Sequence, residues 1–173
     1  MSKTDFDLKT IEGVVFDVDG VLSPAVIPMN SEGIPMRMAN LRDGYAIQLA
    51  VKKGIKIAII TGGNDPAIVK RFNALGVNDV FMTGEKKSKV LLEWLTANGL
   101  SANLVAYVGD DIPDIGCLEI VGLPVVPADA ASDVKKYARY VTSAQGGYGV
   151  ARELLEQILK IRDMWPIDVN AHG

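Results

Sequence analysis

Residues 13–20 read Gly-Val-Val-Phe-Asp-Val-Asp-Gly, a short apolar run that leads directly into two carboxylates and a glycine. Two more apolar runs, at 55–60 and 104–108, also end in polar residues or glycine, and helix-length amphipathic segments separate the three. Runs of this kind are typical of buried strands in a parallel sheet. The chain is therefore predicted to adopt an α/β fold, a three-layer Rossmann-like parallel sheet.

The segments between these runs predict the remaining elements. Residues 26–38 are mostly apolar around a turn cluster at 30–33, which predicts a β-hairpin that projects from the sheet. Asp43 is expected to cap the first long helix and Asp65 the second. The predicted helices cover 43–53, 65–76, 87–98, a stretch that begins at Pro113 and 149–162, and a further strand covers 123–126. Only 43 residues separate Asp17 from Thr61, so we expect no cap domain.

The composition excludes several classes of protein. A chain of 173 residues that is 49% apolar can bury a sizeable core, and we expect one domain over 1–165 and a flexible tail over 166–173, where His172 is inert. A net charge of −3 with scattered basic residues gives no electrostatic case for nucleic acid. With a single cysteine, no signal-peptide core at the start and no stretch that approaches a membrane span, the expected location is the cytoplasm.

The polar residues that follow the apolar runs form a candidate catalytic set. The carboxyl ends of parallel strands share one edge of a sheet, so Asp17, Asp19, Thr61 and the segment 109–111 are expected in one cleft. Asp17 and Asp19 are two residues apart on extended chain and can face the same side. One carboxylate can attack phosphorus to form an aspartyl phosphate, while the other protonates the leaving alkoxide and later activates water.

Two carboxylates beside a phosphate dianion require positive charge. A Mg²⁺ ion held by Asp17 and Asp110 would supply part of it, and the ammonium of Lys87 more. Thr61 can donate its hydroxyl to a phosphoryl oxygen, and the backbone N–H groups of Gly62 and Gly63 can form an anion cradle. Each motif alone is common in turns and helix caps, so it is their joint order after apolar runs that favours catalysis.

The motifs together resemble those of the haloacid dehalogenase superfamily. The matching residues are Asp-Val-Asp-Gly-Val-Leu at 17–22, Ile60-Thr61-Gly62, Lys87, and Gly109-Asp110-Asp111 with Asp114. Further residues are similar to the capless 3-deoxy-D-manno-octulosonate 8-phosphate phosphatases: Asn-Leu-Arg-Asp-Gly-Tyr at 40–45, Arg71, Tyr-Val-Gly-Asp-Asp at 107–111, and Gly-Gly-Tyr-Gly at 146–149 followed by Arg152-Glu153. The similarity covers roughly residues 10–160.

This resemblance implies a Mg²⁺-dependent phosphatase of lipopolysaccharide precursor synthesis, with Asp17 as nucleophile and Asp19 as acid/base. It implies that the metal ligands are Asp17, the backbone carbonyl of Asp19, and Asp110. The substrate contacts that it implies are Asp19, Asn40, Leu41, Arg42, Asp43, Gly44, Gln48, Gly62, Gly63, Arg71 and Lys87, supported by Asp111 and Asp114.

Lys87 is preferred over its neighbours Lys86 and Lys89 as the active-site lysine. It lies 23 residues before Asp110, and apolar residues follow it at the spacing of one helix face. The other two lysines are expected to be solvated charges at the end of the helix.

Two positions depart from the family pattern. Many members carry arginine after the Thr-Gly pair, where this chain has Gly63, and many carry arginine where Gln48 falls. Fewer guanidinium groups weaken the case for bidentate capture of a sugar carboxylate. That partner is left open among Arg42, Arg71 and a residue of another subunit, and a phosphatase for a related nonulosonate 9-phosphate is the alternative.

The resemblance also implies an assembly. Family members complete their open site as homotetramers whose hairpins pack together and whose C-terminal tails reach a neighbour's site. The apolar residues of the segment 26–38 and the sequence Met164-Trp165-Pro166 fit this arrangement. The alternative is that the hairpin covers the core of its own chain.

Other classes of protein use similar residues. A signalling receiver domain also combines Mg²⁺, an aspartate, a threonine and a lysine, but it needs no acid two residues after the phosphorylated aspartate, so Asp19 distinguishes the two. A non-catalytic module would not need the whole set, and a phosphomutase normally requires a cap to exclude water. Cys117 and Trp94 stand at apolar positions and are expected in the core.

Overall fold

Six parallel strands form the centre of the protein, in a computed structural model that describes residues 4–166. The strands are β1 (Gly13–Phe16), β2 (Lys56–Thr61), β3 (Asp79–Met82), β4 (Val105–Val108), β5 (Leu123–Val126) and β6 (Tyr140–Val141). Their order is β3-β2-β1-β4-β5-β6, and every neighbouring pair is parallel. The predicted fold class is confirmed. Residues 167–173, and with them most of the predicted tail, lie outside the described residues.

Helices cover both faces of this sheet. They are α1 (Leu41–Lys52), α2 (Pro66–Ala74), α3 (Lys87–Asn98), α4 (Ile115–Leu118), α5 (Ser132–Lys135) and α6 (Val150–Lys160). Buried residues of α1, α2 and α6 pack with Val14 and Phe16 of β1, whereas those of α3, α4 and α5 pack with Val15. Trp94 and Cys117 are buried in the second cluster, as predicted.

The central position of β1 brings the polar motifs together. Phe16 pairs with Ile59 of β2 on one side and with Val108 of β4 on the other. The residues that follow these three therefore emerge side by side at one edge of the sheet. The chain runs outward from β1 to β3 and then returns to β4, so this edge is the point at which the strand order reverses, where ligands bind in folds of this type.

The segment between β1 and α1 projects as a short hairpin, and within residues 4–166 it inserts no cap domain. A single antiparallel bridge joins Met29 and Pro35, flanked by a hydrogen bond that the N–H of Met36 donates to the carbonyl oxygen of Pro28 (2.8 Å). Neither proline has an N–H to donate, which limits the ladder to one bridge.

The sequence predicted the cap of α2 correctly and the cap of α1 wrongly. Asp65 accepts a hydrogen bond from the N–H of Ala67 (3.0 Å), with Pro66 at the first helical position, as predicted. The prediction of Asp43 as the cap of α1 was wrong. That cap is Asn40, whose side-chain oxygen accepts from the N–H groups of Arg42 and Asp43 at 2.9 and 3.1 Å.

Asp43 instead caps a different helix. Its carboxylate accepts a hydrogen bond from the N–H of Arg152 in the first turn of α6, at 2.8 Å. The residue before α6 is Gly149, which has no side chain to do this. Asp43 is buried, with 3% exposure, and burial raises its pKa to about 6, although the bond from Arg152 and its positive charge oppose the shift. Two helices far apart in sequence thus share one buried carboxyl group.

No helix of residues 4–166 is long and apolar enough to cross a membrane. The elements that the sequence did not locate are the shortest or least buried: β3 is half-buried along its length, β6 has two residues, and α5 has four.

We expect Asp43→Asn to stabilise the protein more at neutral pH than in acid. The folded-state pKa of Asp43 lies above its ordinary value, so ionisation of this carboxyl costs stability as the pH rises from about 4 to about 6. An asparagine keeps an oxygen acceptor for Arg152 and does not ionise. Between pH 4 and pH 7 the free energy of unfolding of the variant should rise by roughly 2–3 kcal/mol relative to the parent.

Urea unfolding with a chelator present measures this difference at both pH values. Asp43→Ala is the matched variant. Its free energy of unfolding should follow the same pH trend as that of Asp43→Asn but be about 1 kcal/mol lower at each pH, because alanine also removes the acceptor for the N–H of Arg152. A difference between variant and parent that does not change with pH would contradict the assignment.

Candidate active site

The carboxyl ends of β1, β2 and β4 deliver the predicted residues to one cleft of about 430 Å³. Asp17 follows β1 directly, Thr61 is the last residue of β2, and Asp110 comes two residues after β4. Thr61 is fully buried beneath the cleft. The predicted residues that line the cleft are Asp17, Asp19, Gly62, Gly63, Lys87, Asp110, Asp111 and Asp114. The structure therefore brings most of the predicted set together.

Lys87 is the lysine that reaches the cleft. It is the first residue of α3, and its Nζ lies 2.8 Å from Oδ2 of Asp17 and 2.9 Å from Oδ1 of Asp114. Burial favours the neutral amine, but the two carboxylates outweigh it and raise the pKa of Lys87. Lys86 and Lys89 are both exposed, and Lys89 pairs with Glu85 at the surface.

Asp114 holds this lysine and the loop that carries Asp110. Its Oδ1 accepts hydrogen bonds from Lys87 and from the hydroxyl of Tyr107 (2.7 Å), which lies buried on β4. Its Oδ2 accepts from the backbone N–H groups of Asp110 (3.0 Å) and Asp111 (3.2 Å). Asp111 itself is exposed and caps the turn at Ile112. Of the two supporting residues, Asp114 contacts Lys87 and the loop that carries Asp110, whereas Asp111 caps the turn at Ile112.

Three carboxylates form a candidate cation site, since oxygen atoms of Asp17, Asp110 and Asp114 lie within 4.8 Å of one another. Asp114 is already engaged by four donors, which leaves Asp17 and Asp110 as the carboxylates available to a metal. The carboxylate of Asp110 packs so closely on Gly20 that a Cβ there would overlap it, and Gly20 has a φ of 80°. A compact, oxygen-only donor set suits a hard divalent cation.

The charge of this set also fits a cation. Burial raises the pKa of Asp17, the facing Asp114 adds to the shift, and Lys87 opposes it. Burial, with Asp114 and then Asp111, raises the pKa of Asp110 to about 7, again against Lys87. When Asp17, Asp110 and Asp114 are all ionised, they carry three negative charges against the one positive charge of Lys87, and a divalent cation would balance the remaining two. The carbonyl of Asp19 as a third ligand stays a prediction.

Asp19 lies at the mouth of the cleft with a partner that sequence reasoning missed. Its carboxylate forms a bidentate ion pair with Arg37, whose Nε and Nη2 lie 2.9 and 3.0 Å from the two oxygens. Arg37 stands at the base of the hairpin and is the only basic residue of the segment 26–38. A single cation in a mostly apolar segment was the feature of the sequence that could have identified Arg37 as a site residue.

The Thr61 loop differs in detail from its prediction. The hydroxyl oxygen of Thr61 accepts a hydrogen bond from the N–H of Gly63 at 3.1 Å. This N–H, one of the two predicted to cradle an anion, is thus engaged within the loop. The proton of the Thr61 hydroxyl is left to be donated elsewhere.

A second cavity of about 350 Å³ adjoins the cleft and contains another part of the predicted substrate-binding set. Asn40, Asp43, Gly44 and Arg71 line it, and the guanidinium of Arg71 lies where a side chain at residue 44 would start: a Cβ there would be 2.5 Å from Nη2. Asn40 also donates from its side-chain nitrogen to the carbonyl oxygen of Gly147 (3.0 Å). Asn40 and Asp43 therefore have structural contacts as well.

Three residues of the predicted substrate set line neither the cleft nor this second cavity: Leu41, Arg42 and Gln48. Leu41 is 77% exposed at the start of α1, Arg42 is exposed beside it, and Gln48 is half-buried farther along the helix.

Comparison with known proteins identifies the family. Residues 76–154 match the model of the haloacid dehalogenase-like hydrolases. The chain is 36% identical over 150 residues to the 3-deoxy-D-manno-octulosonate 8-phosphate phosphatase KdsC of Yersinia pestis, covering 87% of this chain and 80% of that one. It is also 36% identical over 151 residues to KdsC of Escherichia coli K12, with the same coverage.

Solved structures support the same family assignment. The crystal structure of the Yersinia pestis phosphatase superposes with a TM-score of 0.86 at 35% identity, covering 91% of this chain and 85% of that one. The Moraxella catarrhalis phosphatase, solved in complex with magnesium ion, phosphate ion and KDO, gives a TM-score of 0.83 at 31% identity, covering 88% of each chain. With 36% identity to these phosphatases over most of its length and the same fold, this chain belongs to the 3-deoxy-D-manno-octulosonate 8-phosphate phosphatase family of haloacid dehalogenase-like hydrolases.

Proposed function

We propose that this chain is a Mg²⁺-dependent phosphatase that hydrolyses 3-deoxy-D-manno-octulosonate 8-phosphate to the free sugar acid and phosphate, in lipopolysaccharide precursor synthesis. The observation that carries the proposal is the contact of Lys87 with Asp17, beside Asp110 and with Asp19 two residues away. The names of the relatives, and the magnesium, phosphate and KDO of the Moraxella catarrhalis structure, support the same reaction.

The residues divide the reaction into two displacements. A carboxylate oxygen of Asp17 attacks phosphorus, the bond from phosphorus to the sugar oxygen breaks, and Asp19 gives that oxygen a proton. Water then attacks the aspartyl phosphate, Asp19 takes a proton from the water, and phosphate leaves with Asp17 restored. Lys87 holds Asp17 in position and offsets charge, and the Thr61 hydroxyl donates to a phosphoryl oxygen.

Asp17 and Asp110 are the carboxylates that would hold the metal ion. When bound there, Mg²⁺ supplies Lewis-acid polarisation of the phosphoryl group and offsets its negative charge.

The second cavity can accommodate the sugar end of the substrate. Arg71 brings a guanidinium into it, next to the backbone of Gly44. We therefore favour Arg71 over the exposed Arg42 as the partner of the sugar carboxylate.

A nonulosonate 9-phosphate has a longer carbon chain, and a comparison of kcat/KM for the two substrates distinguishes the alternatives. A receiver-like module would accept a phosphoryl group without releasing phosphate catalytically.

We further propose that the catalytic domain spans residues 1–165, acts in the cytoplasm and assembles as a homotetramer through the hairpins. The single cysteine is buried and free, which suits a reducing compartment. Val26 and Met29 of the hairpin are 91% and 69% exposed, and Met36 and Met38 about half. Much of the apolar surface of these side chains is exposed, and clustered exposed apolar groups usually mark interfaces.

Trp165, the residue just before the predicted tail, has contacts within its own chain. The ring of Trp165 stacks on the guanidinium of Arg152, at 4.5 Å, and meets the ring of Tyr45 edge-on, with centroids 5.9 Å apart. A contact with a neighbour's site would therefore have to come from residues after Pro166.

Loss of either carboxylate should abolish or sharply reduce turnover. Asp17→Asn removes the nucleophile, and Asp19→Asn removes acid–base help that is typically worth about 10²–10⁴-fold. Phosphate release from the sugar-acid phosphate measures both, and Asp133→Asn, on the exposed surface of α5, is the control. Near-parental activity of either active-site variant would rule out the mechanism.

Activity should require Mg²⁺, disappear with chelator and return on re-addition. Asp110→Ala should weaken Mg²⁺ binding, as measured by calorimetry, while thermal melting in chelator stays close to that of the parent. Because protons compete with the metal at Asp110, whose pKa is about 7, binding should tighten as the pH rises from 6 to 8. Full activity in metal-free buffer would contradict the metal assignment.

Light scattering should give the mass of a tetramer, and Met29→Glu should reduce that mass by placing a charge in the hairpin interface. Deletion of residues 167–173 keeps Trp165. It should alter kcat/KM for the sugar-acid phosphate more than for para-nitrophenyl phosphate, because the smaller substrate makes no contacts far from the phosphoryl site. A monomeric parent with full selectivity would show that one chain suffices.

A further inference from the structure

Arg37 lies at the junction of two active-site loops. Its side chain is only 13% exposed although it projects from the base of the hairpin. The guanidinium pairs with Asp19, from the loop after β1, and its Nη1 lies 3.9 Å from Oδ2 of Asp65, from the loop after β2. The hairpin thus contributes a cation to the cleft.

The guanidinium occupies the space of a missing side chain. A Cβ placed on Gly63 would lie 2.5 Å from Nη2 and 3.0 Å from Cζ of Arg37. Any residue larger than glycine at position 63 would therefore push the guanidinium away. The loop after β2 and the base of the hairpin are fitted to each other around this group.

The same group separates the two cavities. Arg37 lines the catalytic cleft and also the neighbouring cavity that contains Arg71, and among the described residues it is the only one in both linings. A ligand that extends from the phosphoryl site into the second cavity must pass this guanidinium.

Of the two cations that line the cleft, Arg37 has the more exposed carboxylate partner. Lys87 is held by two nearly buried carboxylates, whereas the partner of Arg37, Asp19, has a side chain that is 45% exposed. A half-exposed carboxylate stays solvated when it leaves its partner, so this pair can exchange partners at a lower cost than the buried pairs of Lys87. The fork of a guanidinium matches the paired oxygens of a carboxylate or a phosphoryl group, so an incoming oxyanion can take the place of Asp19.

We propose that Arg37 is a substrate-binding residue whose guanidinium exchanges the Asp19 carboxylate for an oxyanion of the substrate. The exchange both holds the substrate at the junction of the two cavities and releases Asp19 towards the leaving oxygen. This inference rests on the proposed function, because a sugar-acid phosphate offers two such oxyanions, a phosphoryl group and a carboxylate.

The test compares Arg37→Ala and Arg37→Lys with their parent. Loss of charged hydrogen bonds to the substrate should lower kcat/KM about 10- to 100-fold in Arg37→Ala, with most of the change in KM. Arg37→Lys keeps the charge without the fork and should fall between. Arg139→Ala, which removes a surface arginine paired with Asp5, is the control and should match the parent. Thermal melting checks that each variant folds.

Gly63→Ala gives an independent measurement. Its Cβ should displace the guanidinium and lower kcat/KM in the parent, but cause a smaller loss in Arg37→Ala, where no guanidinium remains. This non-additivity distinguishes contact with substrate through Arg37 from a general effect of either substitution.

Two substrates identify the oxyanion. A loss with para-nitrophenyl phosphate as well as with the sugar-acid phosphate assigns Arg37 to the phosphoryl group, and a loss with the sugar-acid phosphate alone assigns it to the carboxylate. Parental kinetics of Arg37→Ala with both substrates would overturn the proposal. Failure of the proposed function would give a different result, because the parent itself would then release no phosphate from the sugar-acid phosphate.

Discussion

The ammonium of Lys87 is the charge on which the rest of the site depends. It lies between Asp17 and Asp114, two carboxylates that are almost fully buried. Without it these carboxylates would face each other in a poorly solvated pocket, and an uncompensated buried ion costs several kcal/mol. Because Asp114 is held in turn by Tyr107 and by the N–H groups of the loop after β4, the same contact fixes the position of Asp110.

The parallel sheet explains why a small domain, without a cap in the part of the chain that the structure describes, can contain such a site. The carboxylates come from strand ends that the parallel sheet brings side by side, so no other domain is needed to assemble them. What the sheet does not supply is an enclosure. The hairpin contributes Arg37 at one wall, and α2 contributes Arg71 in the cavity beside it.

Linear pattern was enough to predict the strands and the residues that directly follow them. Asp17, Thr61 and Asp110 each come at the end of an apolar run, and the helix face beginning at Lys87 distinguished it from its neighbours. The contacts that could not be predicted join residues far apart in the chain. Asp43 caps a helix more than a hundred residues away, and Arg37 pairs with Asp19 across the hairpin. Side-chain partners of this kind depend on packing, which local periodicity does not encode.

The interrupted ladder of the hairpin has a consequence for divergence within the family. With prolines at positions 28 and 35, the tip is joined by one bridge, and its length can change without shifting the register of any strand in the sheet. The base is fixed separately, by the hydrogen bond from the N–H of Met38 to Ser23 (3.0 Å) and by Asn40 at Gly147. One short insertion therefore contains two independently variable parts: a tip free to acquire new partners, and a base whose geometry is tied to the chemistry.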